Sequence, residues 1–416
     1  MEKTVTKRNG DIVEFDSSKI ARAIAKANNE TKEMSEFSIL TTVEVVKEAI
    51  NETNTDVEDI QDIVEEKLML GGHIKTAKAY ILYRQKQAEE RKRDIFKPRR
   101  NLKPYEYPEF DKYKEAIQHS YWLFSEFNYT SDVQDYKVHV SPSERSAIKN
   151  SMLAISQIEV DVKTFWSNLY GRLPKPELAN VGASFAESEV RHSDAYSNLL
   201  ELLGLNSEFE KIDDIPELAN RIKYLKKHND YATTGEDRDY LVAVMIFSSI
   251  IEHISLFSQF LIIMSFNKER NMFKGMANAI KATSKEENLH GEFGIELVNT
   301  VKQEKPEWFD KEWETTMYET MSEAHEAEMK LLDWIFEEGE LDFLSKYTVQ
   351  EYIKNRMNNA LSSIGLERVF EVDEKELEKT DWFDLETVST AHNDFFDSRA
   401  VNYSKRQKSI TSDDLF

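Results

Sequence analysis

Two stretches of this chain repeat one four-residue pattern, Glu189-Val190-Arg191-His192 and Glu287-Asn288-Leu289-His290, and each follows a glutamate set in apolar sequence. Glu159 lies in SMLAISQIEVDVKTFW, thirty residues before Glu189, and Glu252 lies in IFSSIIEHISLFSQFLIIM, thirty-five before Glu287. On a helix, positions i and i+3 share a face, so each ExxH pair aims a carboxylate and an imidazole at one point. A single such pair is commonly a solvated helix face. The repeated order Glu…ExxH, Glu…ExxH says more, because a carboxylate buried without a partner is costly and both apolar-set glutamates need one. Asp161 rivals Glu159 for the first position, but Glu159 has the more apolar neighbours.

Only 12 glycines and 8 prolines occur in 416 residues, with long stretches free of both, which favours helices over a many-turned β architecture. Four helices, two giving one Glu each and two giving ExxH, build the di-metal carboxylate site of a ferritin-like bundle. Four carboxylates and two imidazoles suit a pair of iron or of manganese ions. Glu159, Glu189, His192, Glu252, Glu287 and His290 are therefore the expected ligands. A bundle with chance buried Glu–His pairs is the competing structural reading. The other histidines lack the ExxH context, and His253 points about 100° away from Glu252 on a helix.

Composition narrows function. A net charge of −23 repels phosphate backbones and anionic lipid, so nucleic-acid or membrane-surface binding is not expected. The absence of cysteine excludes disulfides, thiolate metal sites and any step in which this chain supplies a thiol. The first residues, MEKTVTKRNGD, lack the apolar core of a secretory signal. Leu241 to Phe266 is apolar enough to suggest a membrane span, yet Glu252 and His253 at its middle argue for a buried core helix. A cytoplasmic location follows.

Residues 3–15 read as two β-prone runs around Asn9-Gly10, a pair suited to a type I′ turn. Asp16 or Ser17 then caps a first helix; others follow over about 35–51, from Asp56 to Gly71-Gly72, and from His73 to Arg93. This predicts a small domain over 1–92, a β-hairpin plus four helices. Residues 93–108, proline-bearing and basic, read as a linker. Helical patterns then dominate 109–397, and 398–416 read as a mobile polar tail with an apolar tip, Leu415-Phe416. The run RIKYLKKHND near 221–230 reads as a solvated helix face, with docking as the alternative. Trp308, Trp313, Trp334 and Trp382 read as packing residues.

From about residue 105 to 416 the sequence resembles the small subunit of class I ribonucleotide reductase. ESEVRHSDAY matches that family's ExxH segment, in which a tyrosine follows the histidine by four residues; here it is Tyr196. The resemblance implies that Tyr196 loses an electron to the oxidised metal pair and keeps a stable radical; a plain core tyrosine is the alternative. It implies a radical path through Trp122, in HSYWLFSE, linked to His192 by Glu286, where many members carry Asp. It also makes Tyr403 the mobile relay tyrosine and TSDDLF the peptide that docks on the large (alpha) subunit, whose cysteines reduce the nucleotide. A homodimer is implied, with diphosphate substrates. Some relatives hold the oxidising equivalent on manganese and leave the tyrosine unoxidised, so both options stand.

Residues 1–92 resemble an ATP-cone through VTKRNGDIVEFDSSKIARAI. The resemblance implies that Lys7, Arg8 and Lys19 hold a triphosphate, with Lys86 a further contact, and that Val5, Ile20 and Ile60 flank the base. ATP and dATP then regulate this chain directly, dATP driving a higher oligomer that blocks productive pairing. The expected fold is mainly α: a ferritin-like bundle with a dinuclear metal site behind a small ATP-cone domain. A stand-alone ferritin-like di-metal oxidase or oxygenase shares the ligand set without needing Tyr403, a docking tail or a cone. A metal-storage or nucleotide-sensing scaffold would not need Tyr196.

Overall fold

The computed structural model describes residues 3–7, 12–50, 54–90 and 93–389. The chain divides into two compact units, Met1–Arg93 and Asp94–Phe416.

In the first unit, β1 (Thr4–Thr6) pairs antiparallel with β2 (Ile12–Glu14), Val5 opposite Val13. The residues expected to form the turn between them, Asn9 and Gly10, lie outside the described residues. A third strand, β3 (Asn54–Asp56), adds parallel to β1, which the sequence pattern did not announce because three residues are too few to show alternation. Four helices follow the expected order: α1 (Ser17–Thr31), α2 (Glu36–Ala49), α3 (Val57–Leu70) and α4 (Ile74–Glu90). Asp16 starts α1 by accepting a hydrogen bond from the Ser18 amide at 2.9 Å, satisfying a backbone donor the helix leaves unpaired. Ile20, Ile24, Val43, Val46, Val64 and Leu68 close the core of this unit.

The second unit is a helical bundle. Its labelled helices are α5 (Asp111–His119), α6 (Pro142–Ser167), α7 (Pro176–Leu203) and α8 (Pro216–Thr234). A rod over Asp237–Arg270 comes next, made of α9 (Asp237–Val244), a π-helical segment (Met245–Ser255) and α10 (Leu256–Arg270). Then come α11 (Lys274–Glu304), α12 (Lys311–Ile335) and α13 (Lys346–Ser363). Local chemistry sets the boundaries. A capping box joins Ser141 and Glu144 ahead of Pro142, and α7 ends at Gly204, whose φ of 78° suits glycine. The rod is long and apolar enough to cross a membrane, but 94% of its apolar window is buried inside the domain, as a core helix is.

Small residues bring the central helices together. A Cβ at Gly182 in α7 would lie 2.7 Å from the Trp166 carbonyl of α6. A Cβ at Gly294 in α11 would lie 1.8 Å from Ser248 Oγ, and one at Gly291 would lie 2.8 Å from His253 Nδ1, both on the π segment. Only glycine permits these approaches, and they place Glu252 beside Glu287 and His290.

Two expectations need correction. Residues 94–108 are not a free linker: Ile95 and Tyr107 are buried, and Glu304 accepts from the Tyr107 hydroxyl at 2.7 Å and the Ile95 amide at 2.9 Å. Proline stops a helix there without stopping the chain from packing. Nor is RIKYLKKHND simply a solvated face. Arg221, Leu225 and His228 recur every three or four residues on the buried side of α8, and the lysines take the outer side. Trp313 is buried, and Trp308, Trp334 and Trp382 pack against the core, as expected.

Candidate metal centre and nucleotide pocket

Glu159 comes from α6, Glu189 and His192 from α7, Glu252 from the π segment, and Glu287 and His290 from α11. All six are buried. They form two overlapping sets: Glu159, Glu189, His192 and Glu287; and Glu189, Glu252, Glu287 and His290. Within each set one ligand-type atom per residue lies within 4.8 Å of all the others. Each set therefore has one histidine and one glutamate of its own, while Glu189 and Glu287 belong to both. Such a set could hold two adjacent cations, with Glu189 and Glu287 within reach of both.

The donor chemistry fits such cations. His192 Nδ1 lies 2.9 Å from Glu287 Oε1 and 3.3 Å from Glu189 Oε2. His290 Nδ1 lies 3.0 Å from Glu189 Oε1 and 3.2 Å from both Glu252 Oε2 and Glu287 Oε2. Yet both oxygens of Glu159 and of Glu287, Oε1 of Glu189, Oε2 of Glu252 and Nδ1 of His290 make no well-aligned hydrogen bond among the described residues. Polar atoms that are close but misaligned point at a shared centre rather than at each other. Electrostatics agree. Burial, then the Glu189 charge, pushes Glu159 well above the usual carboxylate range, and burial pushes Glu252 up to about 8. Burial opposes the imidazolium forms of His192 and His290, but the surrounding carboxylates hold both well above the ordinary imidazole value. Protons here stand in for positive charge the cluster requires, and two divalent ions would supply it.

A second layer of contacts holds the cluster. Glu286 Oε2 accepts from Trp122 Nε1 at 3.2 Å and lies 2.8 Å from His192 Nε2, while Oε1 accepts from Ser120 Oγ at 2.8 Å. Arg191 Nη1 lies 3.0 and 3.1 Å from the two Glu286 oxygens. The Trp122 and His192 rings stack with centroids 6.1 Å apart. Tyr196 is buried, one turn beyond His192, and its hydroxyl meets no hydrogen-bond geometry among the described residues. Burial, then the Glu159 charge, raises its phenol well above the ordinary value.

The sequence reading missed four members of this layer. Trp166 Nε1 donates to Glu252 Oε1 at 2.6 Å, Ser188 Oγ lies 3.2 Å from His290 Nε2, and Arg191 and Ser120 brace Glu286. Trp166 follows Glu159 by seven residues, two helical turns on one face, and that spacing was the available signal. His253 belongs to neither ligand set. Tyr403 and the docking tail lie outside the described residues, and so does the side chain of Asp161.

In the first unit, Val5, Lys7, Lys19, Ile20 and Ile60 converge on one cavity of about 170 Å³, joined by Phe15 and Tyr80. Arg8 and the side chain of Lys86 lie outside the described residues.

Comparison with known sequences places this geometry. The sequence model of "Ribonucleotide reductase, small chain" matches residues 99–377. The chain belongs to that family. The "ATP cone domain" model matches residues 3–89, so the small-chain domain of this family member follows an ATP cone. The probable ribonucleoside-diphosphate reductase small subunit 048L of Invertebrate iridescent virus 3 is 25% identical over 331 residues, covering 76% of this chain and 86% of that protein. Among solved structures, the ribonucleotide reductase R2 subunit from Clostridium botulinum superposes with a TM-score of 0.63 at 18% identity, covering 71% of this chain and 98% of that one. An R2-like ligand-binding oxidase reconstituted with a Mn/Fe cofactor superposes at 0.53 with 18% identity, over 64% of this chain and 95% of that one. The helical unit has the ferritin-like fold of these proteins.

Proposed function

We propose that this chain generates and holds an oxidising equivalent at a pair of iron or manganese ions and passes it to a large subunit, which reduces ribonucleoside diphosphates to deoxyribonucleotides. The observation that carries this reading is the two ligand sets sharing Glu189 and Glu287, with Glu286 joining one of them to Trp122. Glu159 and His192 would hold one ion, Glu252 and His290 the other, and the shared carboxylates both. Bound, the pair supplies one-electron oxidising power. The protein's part is to exclude water, orient the donors and lead an electron inward. Tyr196, buried next to Glu159, is the donor the ions would oxidise. Trp122 is the outer relay, its N–H held on Glu286 so that the electron can move while the proton stays bonded. Tyr403 and the TSDDLF tail would continue the path and dock the large subunit, and a homodimer in the cytoplasm is the working form.

The cone would bind ATP or dATP through Lys7, Arg8, Lys19 and Lys86, with Val5, Ile20 and Ile60 around the base. Charge and apolar walls converge there on one cavity. dATP would drive a higher oligomer that blocks pairing with the large subunit.

The stand-alone oxidase reading shares the fold. The hydrogen-bonded chain from His192 through Glu286 to Trp122 favours export of the oxidising equivalent instead. Reconstitution tests it: the metal-loaded chain and its large subunit should together form deoxyribonucleotides that neither forms alone. A fully metal-loaded mixture without product sinks the proposal. Size-exclusion chromatography giving one mass with ATP, with dATP and with neither would remove the regulatory part.

A further inference from the structure

Ser120, Tyr121 and Trp122 follow one another between α5 and a 3-10 turn at Phe124–Glu126, in backbone that is neither helix nor strand. All three touch one buried ion pair. Ser120 Oγ donates to Glu286 Oε1 at 2.8 Å, and Trp122 Nε1 donates to Glu286 Oε2 at 3.2 Å. The Tyr121 ring is 54% exposed, and the central carbon of the Arg191 guanidinium stands over its face, 4.7 Å from the ring centroid. Arg191 is itself buried, with Nη1 at 3.0 and 3.1 Å from the two Glu286 oxygens. Its Nε donates to Glu187, one turn back on α7, at 3.2 and 3.0 Å from the two carboxylate oxygens.

A segment without a helix or strand ladder is held in place by its side-chain contacts. Glu286 faces two basic side chains among the described residues, Arg191 and His192. An imidazole that gives Nδ1 to a cation keeps one N–H, at Nε2, and is neutral. A guanidinium stays charged, so Arg191 is the permanent counter-charge of Glu286. Its planar fork serves both carboxylates at once while its face lies against an aromatic ring, which a lysine ammonium cannot reproduce. Arg191 also precedes His192 directly on α7, so the same rigid element carries the ligand and the clamp. We propose that Arg191 is a positioning residue for electron transfer: held by Glu187 and roofed by the Tyr121 ring, it fixes Glu286 and so fastens the Ser120–Trp122 segment to α7, with the Trp122 N–H and His192 meeting on one carboxylate oxygen. That role rests on the proposed export of the oxidising equivalent to a large subunit.

The test reads the Trp122 N–H itself. Ultraviolet resonance Raman of the full-length, metal-free chain reports indole hydrogen bonding, and subtracting the Trp122→Phe spectrum isolates one of the six tryptophans. Arg191→Lys keeps the charge and loosens the clamp, so the Trp122 band should shift toward that of an indole without a hydrogen bond. Arg191→Gln should shift it further. After loading, Arg191→Lys should keep the metal content of the unmodified chain and the same apparent affinity for the large subunit, while turnover falls about 10-fold. Tyr121→Phe retains the ring and should leave band and turnover in place. A Trp122 band unmoved in Arg191→Lys overturns the inference. So does loss of metal in that variant, which would make Arg191 a support of the ligands rather than of Trp122. An unmodified chain that yields no product with its large subunit strikes the proposed reaction instead, and the metal-free band still decides whether Arg191 sets Trp122.

Discussion

The indole nitrogen of Trp122 and Nε2 of His192 meet on one oxygen, Oε2 of Glu286, at 3.2 and 2.8 Å. A single carboxylate thus spans from a metal-type histidine to a buried tryptophan on a different segment. Trp122→Phe keeps most of the apolar volume and removes the N–H. It should abolish turnover with the large subunit while leaving metal content unchanged, measured side by side. Glu286→Asp retracts the oxygen by about 1.5 Å and should lower turnover about 100-fold.

The shared carboxylates separate from the unshared ones by metal stoichiometry. Glu189→Gln or Glu287→Gln removes a ligand from both sets, and Glu159→Gln or Glu252→Gln from one. Elemental analysis after loading should show almost no metal in the first pair of variants and roughly half occupancy in the second. Equal loss in all four would mean the sites do not share ligands.

Trp166 is the only described side chain hydrogen-bonded to Glu252 Oε1, at 2.6 Å. Trp166→Phe should cost about 2 kcal/mol of stability, since it empties buried volume and strips a carboxylate of its donor. Metal affinity should fall about 10- to 100-fold, as when outer partners of ligands are lost. Competition with a chelator measures it.

Tyr196 gives the opposite expectation for stability. Its hydroxyl is buried without an aligned partner, so Tyr196→Phe should leave the melting temperature unchanged or raise it. Electron paramagnetic resonance of the loaded variant should lack an organic radical, and turnover should be lost. Full turnover would place the oxidising equivalent on the metals.

His228 links stability to pH. Burial, then the Lys227 charge, lowers its imidazole to about 4. The unfolded chain, at about 6.5, then binds the proton more readily than the folded one. Its contribution is therefore full above pH 6.5 and is lost as pH falls toward 4, on the order of 2 kcal/mol by pH 5. Melting temperature should drop over that window, and His228→Gln should flatten the drop. An unchanged slope would show that His228 is not the group responsible.

Much of the centre was readable from one dimension because helices turn spacing into direction. The i, i+3 pairs and the two glutamates in apolar sequence identified six residues that the fold brings together, and Asp16 and Gly71-Gly72 punctuated the small domain. What spacing could not convey was approach between helices. Gly291 and Gly294 look unremarkable in sequence, and their value lies in Ser248 and His253 standing against them. β3 was missed because its pairing with β1 is between segments some fifty residues apart. Residues 93–108 read as a linker in sequence because Ile95 and Tyr107 find their buried places only in the folded bundle. Periodicity along a helix is a local property of the backbone, so residue order settled the helices and the six candidate ligands. Which carboxylates are shared, which indole braces Glu252 and where Tyr121 and Arg191 meet depend on contacts between distant segments, and those exist only once the core has closed.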